Sequence, residues 1–331
     1  MIRDLWQKLL LSLLLGVGVL AAFMLYTDVQ SLRAALTRFD WRMLLPVLLV
    51  TGLNLLARFL KWEYYLRRLD VQGVSRSTSL AIFLANYALI LTPGKVGALL
   101  KSYFLKQSSG IPVARTMPII VAERLTDGLG MLLMTTVALF AYPAAWPVVL
   151  LTFLAVVALI LVIQIRPLAL RLLSLGERLP GMRRFAGTLH ILYESAYDLL
   201  RVRALLWATF LGTVARAMEG VALYFVLLGL GVAPSIALLE QSVFIAALSN
   251  IVGVIVMMPG GLGGTEGSMA GLLDYFVGLA PGPATAATLL SRFASLWIPA
   301  LLGLAAMGLK RHLFFAPESQ AEELVAEVAT P

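Results

Sequence analysis

No cysteine occurs in the chain, which excludes disulfides, thiolate nucleophiles and cysteine-ligated zinc. Histidine is nearly absent too. His190 and His312 both sit in basic flanking segments, which argues against a histidine-based metal or catalytic centre. Charge is scarce: Asp, Glu, Lys and Arg make up 13% of the residues, against about 25% in an ordinary soluble domain. What is abundant is apolar surface, with 60% hydrophobic residues and a mean hydropathy of +0.90. The long apolar runs define a polytopic α-helical membrane protein. In that setting a net charge of +8 reflects positive-inside bias and contact with anionic lipid headgroups rather than nucleic acid.

Six full transmembrane helices are expected at about 9–26, 43–60, 114–140, 147–165, 204–228 and 285–309. The run from Leu9 to Tyr26 exceeds a signal-peptide core and no small-x-small cleavage site follows it, so it reads as a retained helix. Two further apolar segments are interrupted in the middle. Segment 79–105 breaks at Thr92-Pro93-Gly94, and segment 235–278 breaks at MPGGLGGTEG, residues 258–267. A Pro-Gly pair ends one helix and permits another. The arms of the first are too short to cross about 30 Å of hydrocarbon, and both segments are read as re-entrant helical hairpins, the longer second one with a kinked full hairpin as its alternative.

Loop charge sets the orientation. With both termini in the cytoplasm, seventeen Lys and Arg fall on inside segments and only Arg33, Arg38 and Arg42 outside. Lys61 is counted among the inside residues. The inside segment 166–203 carries Phe185, Leu189, Leu192, Ala196 and Leu199 at helical spacing among arginines. It reads either as an amphipathic helix on the inner leaflet or as a helix packed under the bundle. Residues 1–313 form one transmembrane domain on this reading, and 314–331 a short acidic disordered tail.

The interrupted segments resemble each other. Asn86 precedes Pro93 by seven residues and Asn250 precedes Pro259 by nine; Arg124 follows Pro93 by 31 and Arg292 follows Pro259 by 33. Each unit, about 43–140 and about 204–309, is a span, a broken hairpin and a span carrying an arginine. The units enter from opposite faces, so the fold expected is all-α, with the hairpins arranged as an inverted repeat. Such repeats place a transporter's site near the bilayer midplane.

Six basic residues fall inside apolar segments: Arg58, Lys95, Lys101, Arg124, Arg216 and Arg292. Glu123, Asp127, Glu219 and Glu266 accompany them. Each costs about 2.5–3.5 kcal/mol at a helix centre on insertion scales, which points to function or to pairing. Glu219 follows Arg216 by three residues, the spacing of a local ion pair. Arg58 and Lys101 are candidates for snorkelling to the inner surface. Glu123 and Asp127 share a helix face at i, i+4, where two like charges suit the binding of a proton by one of them. Thr92 suits a cap and Pro93 the first helical position, with Lys95 beside that positive helix end, a seat for phosphate. Around Pro259, the glycines 260, 261 and 263 expose backbone amides and Glu266 adds an acceptor. Glycines there equally serve close helix packing.

The motifs NYALILTPGKVG, AERLTDG and MPGGLGGTEG are similar to those of the transmembrane region of lysylphosphatidylglycerol synthetases, a flippase-like family, over about residues 45–310. By position Pro93, Gly94, Gly97 and Lys101 match the first motif, Glu123, Arg124 and Asp127 the second, and Pro259, Gly260, Gly261, Gly263 and Glu266 the third. Ala98 stands where members often carry glutamate, and the soluble aminoacyl-transferase domain of bifunctional members is absent. The resemblance implies movement of lipids with anionic or polar headgroups between leaflets of the inner membrane, without cofactor or metal. A separate lipid-modifying synthase or glycosyltransferase is an implied partner, and no nucleic acid. The expected substrate site gathers Asn86, Thr92, Pro93, Gly94, Lys95, Lys101, Glu123, Arg124, Asp127, Arg216, Glu219, Asn250, Pro259, Gly260, Gly261, Gly263, Glu266 and Arg292. The expectation is a lipid transporter and not an enzyme. The alternatives are a membrane transferase acting on a lipid-linked substrate and a non-transporting partner of a lipid synthase.

Overall fold

A computed structural model describes residues 29–89, 96–139, 146–176, 186–256 and 259–314. Every regular element among them is helical. The expected first span, the tetrad Thr92 to Lys95, and the tail beyond 314 lie outside the described residues.

The polar faces of these helices turn inward, the reverse of a soluble bundle. Helix α1 (Val29–Arg38) occupies the stretch expected as an outer loop, and buries Leu32 and Ala35. Helix α2 (Leu44–Arg68) shows why the chain folds inside out. Leu45, Leu49, Leu53, Leu56 and Leu60 form an exposed stripe at three-to-four spacing, while Asn54, Ala57 and Lys61 are buried on another face. In lipid the leucines need no shelter, whereas a charge must face protein or a polar cavity.

The first broken segment yields α3 (Arg76–Leu89) and α4 (Val96–Ser109), each 14 residues, or about 21 Å long. A short α5 (Val113–Thr116) leads into α6 (Pro118–Leu139) and α7 (Trp146–Gln164). Segment 166–203 forms α8 (Arg166–Gly176) and α9 (Ala186–Leu199), with 177–185 outside the described residues. Helix α9 packs on α5 and α6 and buries Tyr193, Ser195 and Leu199. Its buried side therefore faces the bundle.

Helix α10 (Val202–Gly229) is the axis of the bundle and packs most extensively against α2, then against α6 and α11 (Ile236–Ile255). The second break is a 3-10 turn, Pro259–Gly261, followed by α12 (Gly264–Val277). Gly260 and Gly261 take φ of 64° and 69°, backbone that favours glycine. Here the two arms differ: α11 has 20 residues, long enough to cross a membrane, and α12 only 14. The second segment is therefore not a pair of half-length arms. Helix α13 (Pro281–Arg292) continues through a π-turn, Phe293–Trp297, into α14 (Ile298–Leu309), and a final turn, α15, spans Arg311–Phe314. Pro299 has no N–H for a carbonyl four residues back, and its ring crowds that carbonyl, so the irregularity falls just before it.

Four stretches among the described residues are long and apolar enough to span a bilayer: Trp41–Arg68, Val202–Gly229, Ile236–Ile255 and Pro281–Leu309. Helix α6 has the length at 22 residues but carries Glu123, Arg124 and Asp127 in its first half. Helix packing across the two halves is reciprocal. Helix α3 lies against α14, α11 lies against α6, and α2 lies against α10. Two main apolar cores result among the described residues, one centred on α3 and the ends of α2 and α4, the other on α10, α11 and α12.

The α3–α14 contact depends on Gly303, where an added Cβ would stand 2.4 Å from the Leu84 carbonyl oxygen. Gly303→Ala is expected to lower stability by about 1–3 kcal/mol through overpacking. Gly308→Ala, on the same helix with open space around it, is expected to be neutral or stabilising by up to about 1 kcal/mol. Thermal unfolding of both variants in detergent checks the pair.

Candidate functional site

A cavity of about 170 Å³ opens between the two cores. Its walls come from α2, α3, α4, α6, α10, α11, the 3-10 turn, the start of α12 and the α13–α14 junction. The lining includes Asn86, Lys101, Glu123, Arg124, Asp127, Arg216, Glu219, Asn250, Gly260, Gly261 and Arg292, all expected from sequence.

Asp127 is the hub. Its carboxylate accepts from Lys61 Nζ, from Arg58 Nη1 at 2.9 Å and from Arg216 Nη2 at 3.2 Å. Arg58 reaches on to Glu219 at 2.9 Å, and Arg216 grips the same carboxylate at 3.0 Å. Asn250 Nδ2 donates to Glu219 at 3.1 Å, and Asn54 ties the lattice to both neighbours, accepting from Arg58 Nε and donating to the Ala215 carbonyl. Lys61 also donates to Thr126 Oγ1 at 3.2 Å, and Tyr65 shares that hydroxyl. One network thus fastens α2, α6, α10 and α11. Gly212 makes room for it, because a Cβ there would stand 3.2 Å from both Lys61 Nζ and Asp127 Oδ1.

Two smaller pairs flank the hub. Lys101 of α4 donates to Glu123 of α6 at 2.9 Å, with its ammonium 4.4 Å from the Trp62 ring centroid, close enough for cation–π attraction. Arg292 of α13 donates to Glu266 of α12 at 2.6 Å and to the Gly260 carbonyl at 2.7 Å. Glu266 also accepts the Gly263 N–H at 2.7 Å, the carboxylate half of a capping box.

Several sequence expectations change at this point. Arg58 and Lys101 do not snorkel: both are locked in ion pairs facing the cavity. Glu123 and Asp127 are each engaged by cations of other helices, so they do not face each other as bare like charges. Glu266 lies behind Arg292 and does not line the cavity; it holds the break together. Gly263 caps α12 and likewise stays out of the lining. Pro259 begins the 3-10 turn. Lys61, placed by its sequence position on the inner flank, is only 2% exposed.

The expected site lacked Asn54, Arg58, Lys61, Tyr87, Thr265 and Ser295, and the apolar or glycine positions Phe83, Gly253, Val254 and Leu296, all of which line the cavity. Asn54, Arg58 and Lys61 stand at i, i+4 and i+7, one face of a helix, and that spacing was the available signal. Among the described residues, no hydrogen bond or ion pair engages the Arg124 guanidinium, the Asn86 amide, the Tyr87 hydroxyl or the Ser295 hydroxyl. With the Nε of Arg216, which also has no partner, these are open donors of the cavity. No three His, Cys, Asp or Glu among the described residues converge as a metal site.

Ion pairs turned inward and leucine stripes turned outward define an integral membrane protein built around a buried polar chamber. The chain belongs to the family described as the lysylphosphatidylglycerol synthase TM region, which matches residues 9–303. It is similar to two UPF0104 membrane proteins of Methanothermobacter thermautotrophicus. One is 24% identical, covering 89% of this chain and 93% of the relative, and the other 27% identical, covering 87% and 90%. It is also similar to a UPF0104 membrane protein of Pyrococcus horikoshii, 24% identical over 90% of this chain and 96% of the relative.

The engaged and unengaged charges separate structural from receptive residues. Asp127→Ala leaves Lys61, Arg58 and Arg216 without their shared carboxylate and is expected to cost about 3–5 kcal/mol. Arg124→Gln removes no partner and is expected to change stability by less than about 1 kcal/mol. Comparing detergent unfolding midpoints of the two variants checks this division.

Proposed function

We propose that this protein moves a phospholipid with an anionic or polar headgroup between the leaflets of the inner membrane. The observation that carries the reading is the charge of the cavity. Among the described residues six cations surround it, Arg58, Lys61, Lys101, Arg124, Arg216 and Arg292, against the four carboxylates of Glu123, Asp127, Glu219 and Glu266. Six minus four leaves two positive charges without a protein counter-charge. An anionic headgroup entering the cavity balances them, while its acyl chains stay against the leucine-rich outer faces.

The reciprocal packing of α3 on α14 and α11 on α6 supports an inverted repeat, with full spans joined by two interrupted segments. Inverted repeats that meet at a polar midplane site suit alternating access. The headgroup phosphate would take its hydrogen bonds from Arg124, Asn86, Tyr87 and Ser295, the donors left open, while the ion-paired residues hold the chamber in shape. Both termini lie in the cytoplasm on this reading. With Lys61 withdrawn to the cavity, sixteen basic residues remain inside against three outside. A separate synthase or glycosyltransferase would supply the lipid, and the chain itself acts as a carrier rather than a catalyst.

The test is translocation of fluorescent phosphatidylglycerol in proteoliposomes holding the full-length chain. Arg124→Gln is expected to slow it about tenfold or more, the scale of losing a charge-assisted bond to phosphate. Wild-type rates in Arg124→Gln would overturn the site assignment, and rates no faster than in protein-free vesicles would overturn the function.

A further inference from the structure

We infer that the cavity selects a headgroup carrying two negative charges, a phosphate monoester, and rejects aminoacylated, cationic headgroups. The inference rests on the transport reading above and names the chemical class of its substrate.

Two observations converge. The first is stoichiometric: the described residues around the cavity leave an excess of two positive charges. A phosphate monoester, with a second pKa of about 6, carries between one and two negative charges at neutral pH. A phosphodiester carries one, and a lysyl ester of phosphatidylglycerol is net positive. In a low-dielectric chamber an unbalanced charge is costly, so occupancy favours the ligand that brings the sum nearest zero.

The second concerns acceptors. A lysyl headgroup brings two ammonium groups that need carboxylates, and all four carboxylates are taken. Glu123 holds Lys101, and Asp127 holds Lys61, Arg58 and Arg216. Glu219 holds Arg58, Arg216 and Asn250, and Glu266 holds Arg292 and the Gly263 amide. What remains open among the described residues is the Arg124 guanidinium, the Arg216 Nε and neutral amide and hydroxyl groups, with no open carboxylate among them. Unengaged donors recognise phosphate oxygens, and Arg does so in bidentate fashion.

Charge therefore separates this cavity from the aminoacylated lipid for which the family is named.

The experiment measures binding to the purified full-length chain in detergent, with short-chain phosphatidic acid, phosphatidylglycerol and lysyl-phosphatidylglycerol as probes. Phosphatidic acid is expected to bind roughly tenfold more tightly than phosphatidylglycerol, with lysyl-phosphatidylglycerol weakest of the three. Arg124→Gln is expected to erase the preference for phosphatidic acid while unfolding at the wild-type temperature. Equal affinities, or tightest binding of the lysyl lipid, would overturn the charge inference and leave lipid transport standing. Glycerol 3-phosphate displacing phosphatidic acid at equal concentration would keep the dianion but overturn the lipid reading in favour of a soluble phosphate ester. Absence of binding by every lipid probe would overturn both.

Discussion

Asp127 holds three cations that come from two other helices, and the bundle's centre is organised by that grip. Burying one carboxylate costs several kcal/mol of lost hydration, and burying an ammonium or guanidinium costs a similar amount. In a membrane the penalty cannot be escaped by turning outward. The charges are tolerable only together, so α2, α6 and α10 must bring Lys61, Arg58, Asp127 and Arg216 to one place. Glu219 and Asn250 then extend the same requirement to α11. Apolar packing between helices discriminates poorly in lipid, where every neighbour is hydrocarbon. The ion network supplies the register that leucine contacts alone would leave loose.

The two flanking pairs do equivalent work with opposite polarity. In the first half the arm after the break brings the cation, Lys101, and the helix beyond brings the acid, Glu123. In the second half the arm brings the acid, Glu266, and the helix beyond brings the cation, Arg292. The halves are related in packing and inverted in charge. Only the second acid doubles as a cap, which is why it withdraws from the cavity. The first acid stays at the wall beside Arg124.

Much of this was legible locally. Pro-Gly pairs inside apolar runs marked the breaks, and charges inside apolar runs marked the cavity, because in hydrocarbon both are conspicuous. Arg58, Arg216 and Glu219 were visible as intramembrane charges, but their joint service to Asp127 is a tertiary fact that spacing along one chain cannot show. Lys61 was misplaced because it sits at the edge of its apolar run, beside Trp62 and Glu63, where snorkelling residues usually lie. The extra length of the second segment was legible too, as room for a kinked full hairpin, and it falls on one arm, the 20-residue α11. Glu266 looked like a site residue because its cap, a glycine three residues earlier, lacks the serine or threonine that usually announces a capping box.

The π-turn at Phe293–Trp297 adds one residue to the winding between Arg292 and α14. A π-turn takes that residue up by widening rather than by turning further, so α14 keeps close to the direction of a regular helix while its residues shift by one place, about 100° of α-helical register. Arg292 just before the turn faces the chamber, Ser295 and Leu296 within it line the wall, and Gly303 beyond it presents its bare backbone to α3. The extra residue therefore sets which side chains of this helix meet α3 and the chamber, and not where the helix runs.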